Sequence, residues 1–248
     1  MENIIKPIWS RQHGAYITLI TSWLTGTLLS GQIYAIHFVI LLMLLAGFNF
    51  TDFMQERFLR NSPPSKRKKL WTWIYFTLAI LSGVCILINV IEFKFILPFF
   101  ILAGLIFLIL TKFRLQKNIF SEFLTFAVLS LGGLIAFNPH HSTQFAVMFP
   151  LWVLMFFYFS STIFLVKIRF NRVNIAEVLV FLLVSFIVLF YLWENTPLVW
   201  FASGLIALRI LPLVFIQDRF RKLRITTIGF IEIGFQILFL AGILLTLK

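Results

Sequence analysis

The stretch FVILLMLLAGFNFTDFMQERFLRN, residues 38–61, decides the fold. Its first ten residues carry no polar side chain, whereas an Asn, an Asp, a Glu and two Arg follow within about three turns of helix. Backbone groups in hydrocarbon must be hydrogen-bonded within their own segment, so an apolar run of this kind predicts a membrane-spanning helix. Its polar end is then either the edge of the membrane or part of a site.

The composition extends this interpretation to the whole chain. Of the 248 residues, 60% are hydrophobic and only 12% are charged, and the mean hydropathy is +0.99. A soluble domain needs more polar side chains to cover its surface, and the strands of a membrane β-barrel alternate polar and apolar residues, which these runs do not. The sequence therefore predicts an all-α, polytopic membrane protein.

Nine apolar runs are long enough to cross a hydrocarbon layer of about 30 Å as helices. They are residues 15–31, 33–54, 70–91, 95–111, 119–137, 145–166, 175–193, 197–216 and 225–247. Because the connections are too short for a soluble domain, we expect residues 1–248 to form a single polytopic transmembrane domain of about nine helices. The pair Gly132 and Gly133 predicts a notch in the fifth helix that either bends it or admits a neighbour.

The basic residues predict the orientation of these spans. Of the 21 Lys and Arg, 18 lie before the first run or in the loops after runs two, four, six and eight. The positive-inside rule therefore predicts a cytoplasmic N-terminus and an external C-terminus, and we expect the protein in the cell (plasma) membrane. The same asymmetry accounts for nearly all of the net charge of +12, so nucleic acid is not expected as a partner.

Three oxygen-bearing side chains share one face at the end of the second predicted helix. Asn49, Asp52 and Glu56 are spaced i, i+3 and i+7, and hard oxygen donors on one face suit Mg²⁺, which often bridges to phosphates. Arg57 and Arg60 follow directly, and basic side chains of this kind bind diphosphates. The alternative is that the two carboxylates are interfacial groups paired with neighbouring arginines.

Two further charges are predicted to meet inside the membrane. Arg209 lies about eight residues before the end of run eight, and Glu232 lies about seven residues after the start of run nine. At about 1.5 Å per residue, both are about 10–12 Å deep on antiparallel neighbours, which predicts an ion pair. Intramembrane charges are often functional, and the alternative is a purely structural clamp between two helices.

Other polar residues stand near the same membrane face. Arg11 and His13 lie at the start of the first helix, where His13 is expected to serve acid–base chemistry or phosphate binding, or simply to hydrogen-bond at the interface. Glu122 lies in the first turn of the fifth helix, a position that the helix dipole also favours. Lys167 and Arg169 end the sixth. We expect these helix ends to converge on one cavity in the inner leaflet.

The order of several short blocks resembles a known family. RQHGAYITLI, residues 11–20, is similar to the HGAW opening of YwiC-like membrane proteins, and FSEFLTFAVLSLGGLIAF, FLVKIRFNR and TTIGFIEIGF are similar to later blocks of that family. The resemblance covers most of the chain, from Arg11 to about Leu240. It implies an integral membrane protein and, by itself, no particular activity.

The nine-helix layout is also similar to that of the UbiA superfamily of intramembrane prenyltransferases. That resemblance implies Mg²⁺ as a cofactor, a prenyl diphosphate as a substrate and an Asn/Asp-rich motif at the cytoplasmic end of the second helix. NFTDFMQE lies there, with Asn49, Asp52 and Glu56 as the matching residues and a first spacing one residue shorter. The superfamily's second motif has no counterpart, because YFSSTIFLVKIRF carries Lys167 and Arg169 but no Asp.

Two classes of function follow. In the first, the chain is a UbiA-like isoprenoid or lipid transferase, or a motif-depleted relative that binds a prenyl diphosphate or an anionic lipid, and His13 or Glu232 serves the acceptor. The substrate would then be bound by groups at the inner helix ends: Arg11, Arg57, Arg60, Glu122, Lys167, Arg169 and Arg209. In the second, the chain is a small-anion transporter or an assembly factor for a membrane complex. A polar path across the bundle would favour transport, and a cavity closed at its outer end would favour a lipid.

Overall fold

Ten helices make up almost all of the computed structural model, which describes residues 6–10, 12–59, 64–90, 93–113, 118–137, 145–170, 174–193 and 196–246. The helices are α1 (His13–Leu29), α2 (Ala35–Leu59), α3 (Lys66–Asn89), α4 (Phe93–Lys112), α5 (Ile119–Phe137), α6 (Phe145–Arg169), α7 (Ile175–Trp193), α8 (Pro197–Phe215), α9 (Gln217–Lys222) and α10 (Ile225–Thr246). Within the ranges described there is no strand. The predicted all-α fold is confirmed.

The apolar runs and the observed helices correspond closely. Nine of the ten helices coincide with the predicted runs, and the tenth is the short, charged α9. In the described part of the chain, eight helices are long and apolar enough to cross a membrane, and α1 contributes a shorter apolar stretch, Gly14–Leu29. The helical bundle is therefore that of a multi-pass membrane protein.

One end of the bundle collects the basic side chains. Contacts join the start of α1 to the end of α2, the end of α2 to the start of α3, and the start of α5 to the end of α6, so these helix ends lie together. Arg57, Lys69 and Lys167 lie at these ends, and Lys112 lies in the last turn of α4. We call this side the basic end of the bundle. The positive-inside rule predicts that it faces the cytoplasm.

Small residues allow α1 and α5 to approach closely. A Cβ added to Gly26 would lie 1.9 Å from the carbonyl oxygen of Gly133, and a Cβ on Gly133 would lie 2.7 Å from that of Ser22. The Gly133 N–H donates a hydrogen bond to Ser22 Oγ at 3.0 Å. The notch predicted at Gly132 and Gly133 therefore admits a neighbouring helix.

The interior and the outer surface are both apolar, as expected for a protein surrounded by lipid. One large cluster of buried apolar side chains draws on α1 to α8 and on α10, and a smaller one joins α2 to α3. Many large apolar side chains nevertheless face outward, among them Ile88, Phe95 and Phe215 at 75%, 73% and 80% exposure. Such a surface would aggregate in water but suits a bilayer.

Candidate functional site: an amphiphilic cavity

A cavity of about 790 Å³ lies between helices α1 to α6. Along α2 it is lined from Met43 to Gln55, which is about 18 Å at about 1.5 Å of rise per residue. That length is more than half of a hydrocarbon layer of about 30 Å. The volume lies within the range of about 300–1,000 Å³ that is typical of small-molecule sites.

Among the residues that the structure describes, the polar side chains that line the cavity all lie towards the basic end of the bundle. They are Gln12, Thr51, Asp52, Gln55, Ser121, Glu122, Thr125, Thr162 and Lys167. Lys167 Nζ lies 3.2 Å from Glu122 Oε2, and Gln12 Nε2 donates a hydrogen bond to Asp52 Oδ1 at 2.5 Å. We call this region the polar end of the cavity. Its ammonium, carboxylate, amide and hydroxyl groups can bind a charged or strongly polar group.

The remainder of the cavity is lined by apolar side chains and by glycines. Leu87 lies in the last turn of α3, and Phe93 and Leu97 lie near the start of α4, so this lining reaches towards the opposite end of the bundle. Four glycines also line the cavity: Gly14, Gly47, Gly83 and Gly104. A Cβ added to three of them, Gly14, Gly47 and Gly104, would meet no atom within 4 Å. The glycines therefore keep open a volume that larger residues would fill.

Among the side chains that the structure describes, Lys167 is the basic one that lines the polar end. The Lys167 side chain is only 9% exposed, whereas that of Glu122 is 33% exposed. Burying an ammonium group costs free energy unless an opposite charge is close, and Glu122 supplies that charge. An anionic group of a ligand can replace Glu122 as the counter-charge of Lys167. The ammonium would then stay paired, while the more exposed Glu122 could turn towards water or a metal ion.

The three residues predicted as metal ligands on α2 do not meet at one point. Asn49 Oδ1 accepts hydrogen bonds from the backbone of the segment before α1 and, at 2.5 Å, from the hydroxyl of Tyr16. Asp52 lines the cavity, whereas Glu56 forms an ion pair with Lys68 and lines a separate pocket between α2 and α3. Side chains on the same face of α2 therefore contact the α1 region, the cavity or α3, depending on their position along the helix.

Within the described residues, no group of three or more His, Cys, Asp or Glu side chains is arranged to hold a metal ion. Asp52 and Glu122 are the carboxylates that line the cavity, and they come from different helices. Mg²⁺ binding by Asn49, Asp52 and Glu56 stays a prediction, but Asn49 Oδ1 and Glu56 Oε2 already bind other groups. Any metal in the cavity would have Asp52 and Glu122 as its acidic ligands.

The predicted intramembrane pair is present between α8 and α10. Arg209 Nε lies 3.7 Å from Glu232 Oε1, which fits an ion pair but is too long for a hydrogen bond. The guanidinium instead donates hydrogen bonds to α6, at 2.9 Å to the carbonyl of Tyr158, 3.0 Å to its hydroxyl and 2.6 Å to Ser161 Oγ. The rings of Tyr158 and Phe235 lie 4.6 and 4.7 Å from its central carbon. Arg209 therefore ties α8 to both α6 and α10.

Thr162 connects this pair to the cavity. Its hydroxyl donates to Glu232 Oε2 at 2.9 Å and accepts from Arg209 Nη1 at 3.3 Å, and Thr162 itself lines the polar end. Neither Arg209 nor Glu232 is part of the lining. The two charges lie behind the cavity wall, so they can act on a ligand only through Thr162 or by positioning α6.

Several predicted site residues lie elsewhere or outside the description. Arg57 is exposed and lines the pocket between α2 and α3 rather than the cavity. Arg11 and Arg60 fall outside the described residues, as do the side chains of His13 and Arg169. Glu122 and Lys167, which were predicted from different helices, are brought together.

Sequence reasoning missed Gln12, Thr162 and the cavity glycines. A single amide, hydroxyl or glycine in an apolar chain has no distinctive spacing, and each becomes informative only when the neighbouring helix is known. The one available signal was the position of Gln12 beside residues already assigned to the membrane edge.

Membrane-spanning helices, an apolar outer surface and buried intramembrane charges define an α-helical multi-pass membrane protein. The family described as YwiC-like protein matches residues 9–137, just over half of the 248 residues. The chain therefore belongs to the YwiC-like family. The matched part contains α1 to α5, which form every wall of the cavity except that of α6. No curated protein and no solved structure matches the chain.

Proposed function

We propose that this YwiC-like protein binds a membrane lipid or isoprenoid, with the apolar tail in the deep part of the cavity and the head group at the polar end. One observation carries the proposal: among the described residues, the polar side chains that line this long cavity all lie at one end. An amphiphile has the same division. A tail that moves from the bilayer into the cavity leaves no water behind, so the hydrophobic effect does not drive this step. Dispersion contacts between the tail and the apolar walls favour binding instead.

The head group that suits the polar end is a diphosphate or phosphate accompanied by Mg²⁺. Lys167 provides positive charge, but Asp52 and Glu122 would repel a bare anion. Mg²⁺ takes carboxylate and phosphate oxygens together, so it would turn these two carboxylates from a repulsive into an attractive feature. When bound, the metal would neutralise the diphosphate, while Lys167 and Gln12 would orient its oxygens.

The second candidate is the transport of a small anion, and the buried pair of Arg209 and Glu232 favours it. Against transport, the polar lining of the cavity ends near Thr125 and Thr162, and the described residues that line it beyond them are apolar or glycine. An ion on that route would lose its hydration without replacement, which is costly in a low-dielectric interior. Binding of a lipid or isoprenoid is therefore the better supported function. A role in prenyl transfer is the extension that the UbiA-like layout suggests.

The proposed location is the cell membrane, with the basic end in the cytoplasm. The supporting argument is the charge asymmetry of the loops, which acts on orientation during insertion. On this basis the polar end would receive its ligand from the inner leaflet.

The test is a thermal unfolding experiment on the full chain in mild detergent. Farnesyl or geranylgeranyl diphosphate is added with Mg²⁺ or with EDTA, and the shift in Tm is compared between the native protein, Lys167→Gln and Lys112→Gln. Lys112 is an exposed lysine at the same end of the bundle that lines neither cavity, so it controls for the loss of charge. A ligand at 100 times its Kd stabilises the folded state by about 2.7 kcal/mol.

A rise in Tm that requires Mg²⁺, persists in Lys112→Gln and falls by more than half in Lys167→Gln would support the proposal. A rise that is equal in both variants would place the ligand outside the cavity. If no diphosphate shifts Tm and mass spectrometry of the purified protein finds no retained lipid or isoprenoid, the proposal is wrong and the non-enzymatic alternatives remain.

A further inference from the structure

A second pocket lies beside α2 and α3 at the basic end and shares no lining residue with the cavity described above. Its volume is about 370 Å³. It is formed by the last turns of α2, with Phe50, Glu56 and Arg57, and by the first turns of α3, with Lys69, Trp73 and Phe76. The assignment of a lipid to the larger cavity makes no use of this pocket.

The charges of the pocket are predominantly positive. Arg57, Lys68 and Lys69 line it together with a single carboxylate, that of Glu56. Lys68 is paired with this carboxylate and lies 5.0 Å above the ring of Phe53. Arg57 and Lys69 are exposed, so a ligand in the pocket can reach both charges from outside. The pocket is thus suited to an anion.

The part of the pocket further from the basic end is aromatic. Trp73 is 59% exposed, and Phe76, one turn further along α3, is 36% exposed. Phe50 packs against Phe76 with a distance of 5.1 Å between ring centroids. Tryptophan close to a cluster of basic residues is typical of the level of the lipid head groups, and phenylalanine one turn deeper is suited to the start of an acyl chain. Basic groups above aromatic rings therefore follow the order of a phospholipid, from phosphate to tail.

We propose that this pocket binds an anionic phospholipid from the adjacent leaflet, with its phosphate between Arg57 and Lys69 and its upper acyl chains against Trp73 and Phe76. Charge complementarity identifies the occupant, because basic residues near a membrane surface attract anionic lipids. The first turn of α3 adds the positive end of its helix dipole, and Ser65 caps that turn by accepting a hydrogen bond from the Lys68 N–H. The bound lipid would join α2 to α3.

The experiment measures Tm in detergent with added phosphatidylglycerol, phosphatidylcholine or inorganic phosphate. The pocket variant is Arg57→Gln/Lys69→Gln. The control variant, Lys66→Gln/Lys112→Gln, removes two exposed basic residues from the same end that do not line the pocket. Both exchanges are at exposed positions, so both variants are expected to fold, and the lipid-induced shift in Tm is compared rather than Tm itself.

The proposal predicts that phosphatidylglycerol raises the Tm of the native and control proteins, and that the rise falls by more than half in the pocket variant. Equal shifts in the two double variants would mean that the lipid-induced rise in Tm depends only on the overall charge of the basic end, and this would overturn the proposal. So would an equal rise with phosphatidylcholine or with inorganic phosphate alone. The Lys167→Gln variant is expected to retain the full effect, which separates this site from the ligand of the cavity.

Discussion

The hydroxyl of Thr162 donates a hydrogen bond to Glu232 Oε2 at 2.9 Å, and this contact links the cavity to the charges buried behind it. Thr162 is on α6, one and a half turns before Lys167, so the same helix carries the wall of the cavity and its cation. Arg209 donates to α6 in the same region. The position of Lys167 therefore depends on a pair of charges that do not line the cavity.

Replacing Arg209 is expected to be among the most destabilising changes in the chain. Arg209→Met leaves Glu232 without its counter-charge and removes the hydrogen bonds to Tyr158 and Ser161, so a loss of about 3–5 kcal/mol in the free energy of unfolding is expected. Glu232→Gln should cost less, because the guanidinium keeps its bonds to α6 and a Gln can still accept from Thr162. Unfolding in detergent by a graded denaturant measures both.

The double variant Arg209→Met/Glu232→Gln tests whether the two side chains act as a pair. Residues in direct contact show coupling free energies of about 0.5–3 kcal/mol, so the double variant should lose less than the sum of the two single losses. Additive losses would mean that the 3.7 Å contact contributes no coupling and that Arg209 acts through α6 alone.

Filling the cavity should weaken ligand binding without loss of stability. Gly47→Leu and Gly104→Leu each add a side chain where a Cβ meets no atom within 4 Å, and leucine is also the better helix former. We expect an unchanged or higher Tm without ligand, and a ligand-induced rise reduced by more than half. Gly204→Leu is the matched control, since Gly204 is equally unobstructed but exposed on α8, away from the cavity. Normal binding by both cavity variants would show that the ligand does not occupy this space.

The fold could be predicted from the sequence because hydropathy measures directly what a bilayer selects. Each membrane helix needs a continuous apolar run, and nine such runs appear as nine helices. Helix ends were less accurate, since α2 continues to Leu59 and α3 begins at Lys66, both in charged sequence. A run of apolar residues marks the hydrocarbon, whereas a helix ends where its backbone hydrogen bonds end. The short α9 was missed for the same reason.

Contacts between polar side chains could be predicted only where the depth of the two residues in the membrane determines whether they meet. Arg209 and Glu232 lie at matched depths on neighbouring antiparallel helices, and they meet. Asn49 and Glu56 share a face of α2, yet the former contacts the α1 region and the latter contacts α3. The helical period specifies the direction in which a side chain points from the axis of its own helix. It contains no information about which helix lies opposite, and that arrangement is set by tertiary contacts such as those between Gly26 and Gly133.

The close contact of α1 and α5 gives a prediction for stability alone. Gly26→Ala would place a Cβ 1.9 Å from the carbonyl oxygen of Gly133, a backbone atom that cannot turn aside. Overpacking of this kind typically costs about 1–3 kcal/mol, and the helices would have to separate. Gly229→Ala, where a Cβ meets nothing within 4 Å, should be neutral or slightly stabilising. If the Tm values of these two variants agree, the close approach of α1 and α5 is wrong.

Asn49 and Asp52 should respond differently to substitution, although both were predicted as metal ligands. Asn49→Ala removes the acceptor of the Tyr16 hydroxyl and of the Ser10 N–H, so a loss of about 1–3 kcal/mol is expected whether or not Mg²⁺ is present. Asp52→Asn keeps an acceptor for Gln12 and should leave Tm almost unchanged without ligand, while it weakens the Mg²⁺-dependent rise with a prenyl diphosphate. The measurement is Tm of each variant in Mg²⁺ and in EDTA, with and without the diphosphate. The opposite result for Asn49→Ala would be an unchanged Tm together with loss of the Mg²⁺ effect. Loss of a structurally important acceptor should lower Tm, so this result would mean that Asn49 acts as a metal ligand and that the α2 face is a metal site.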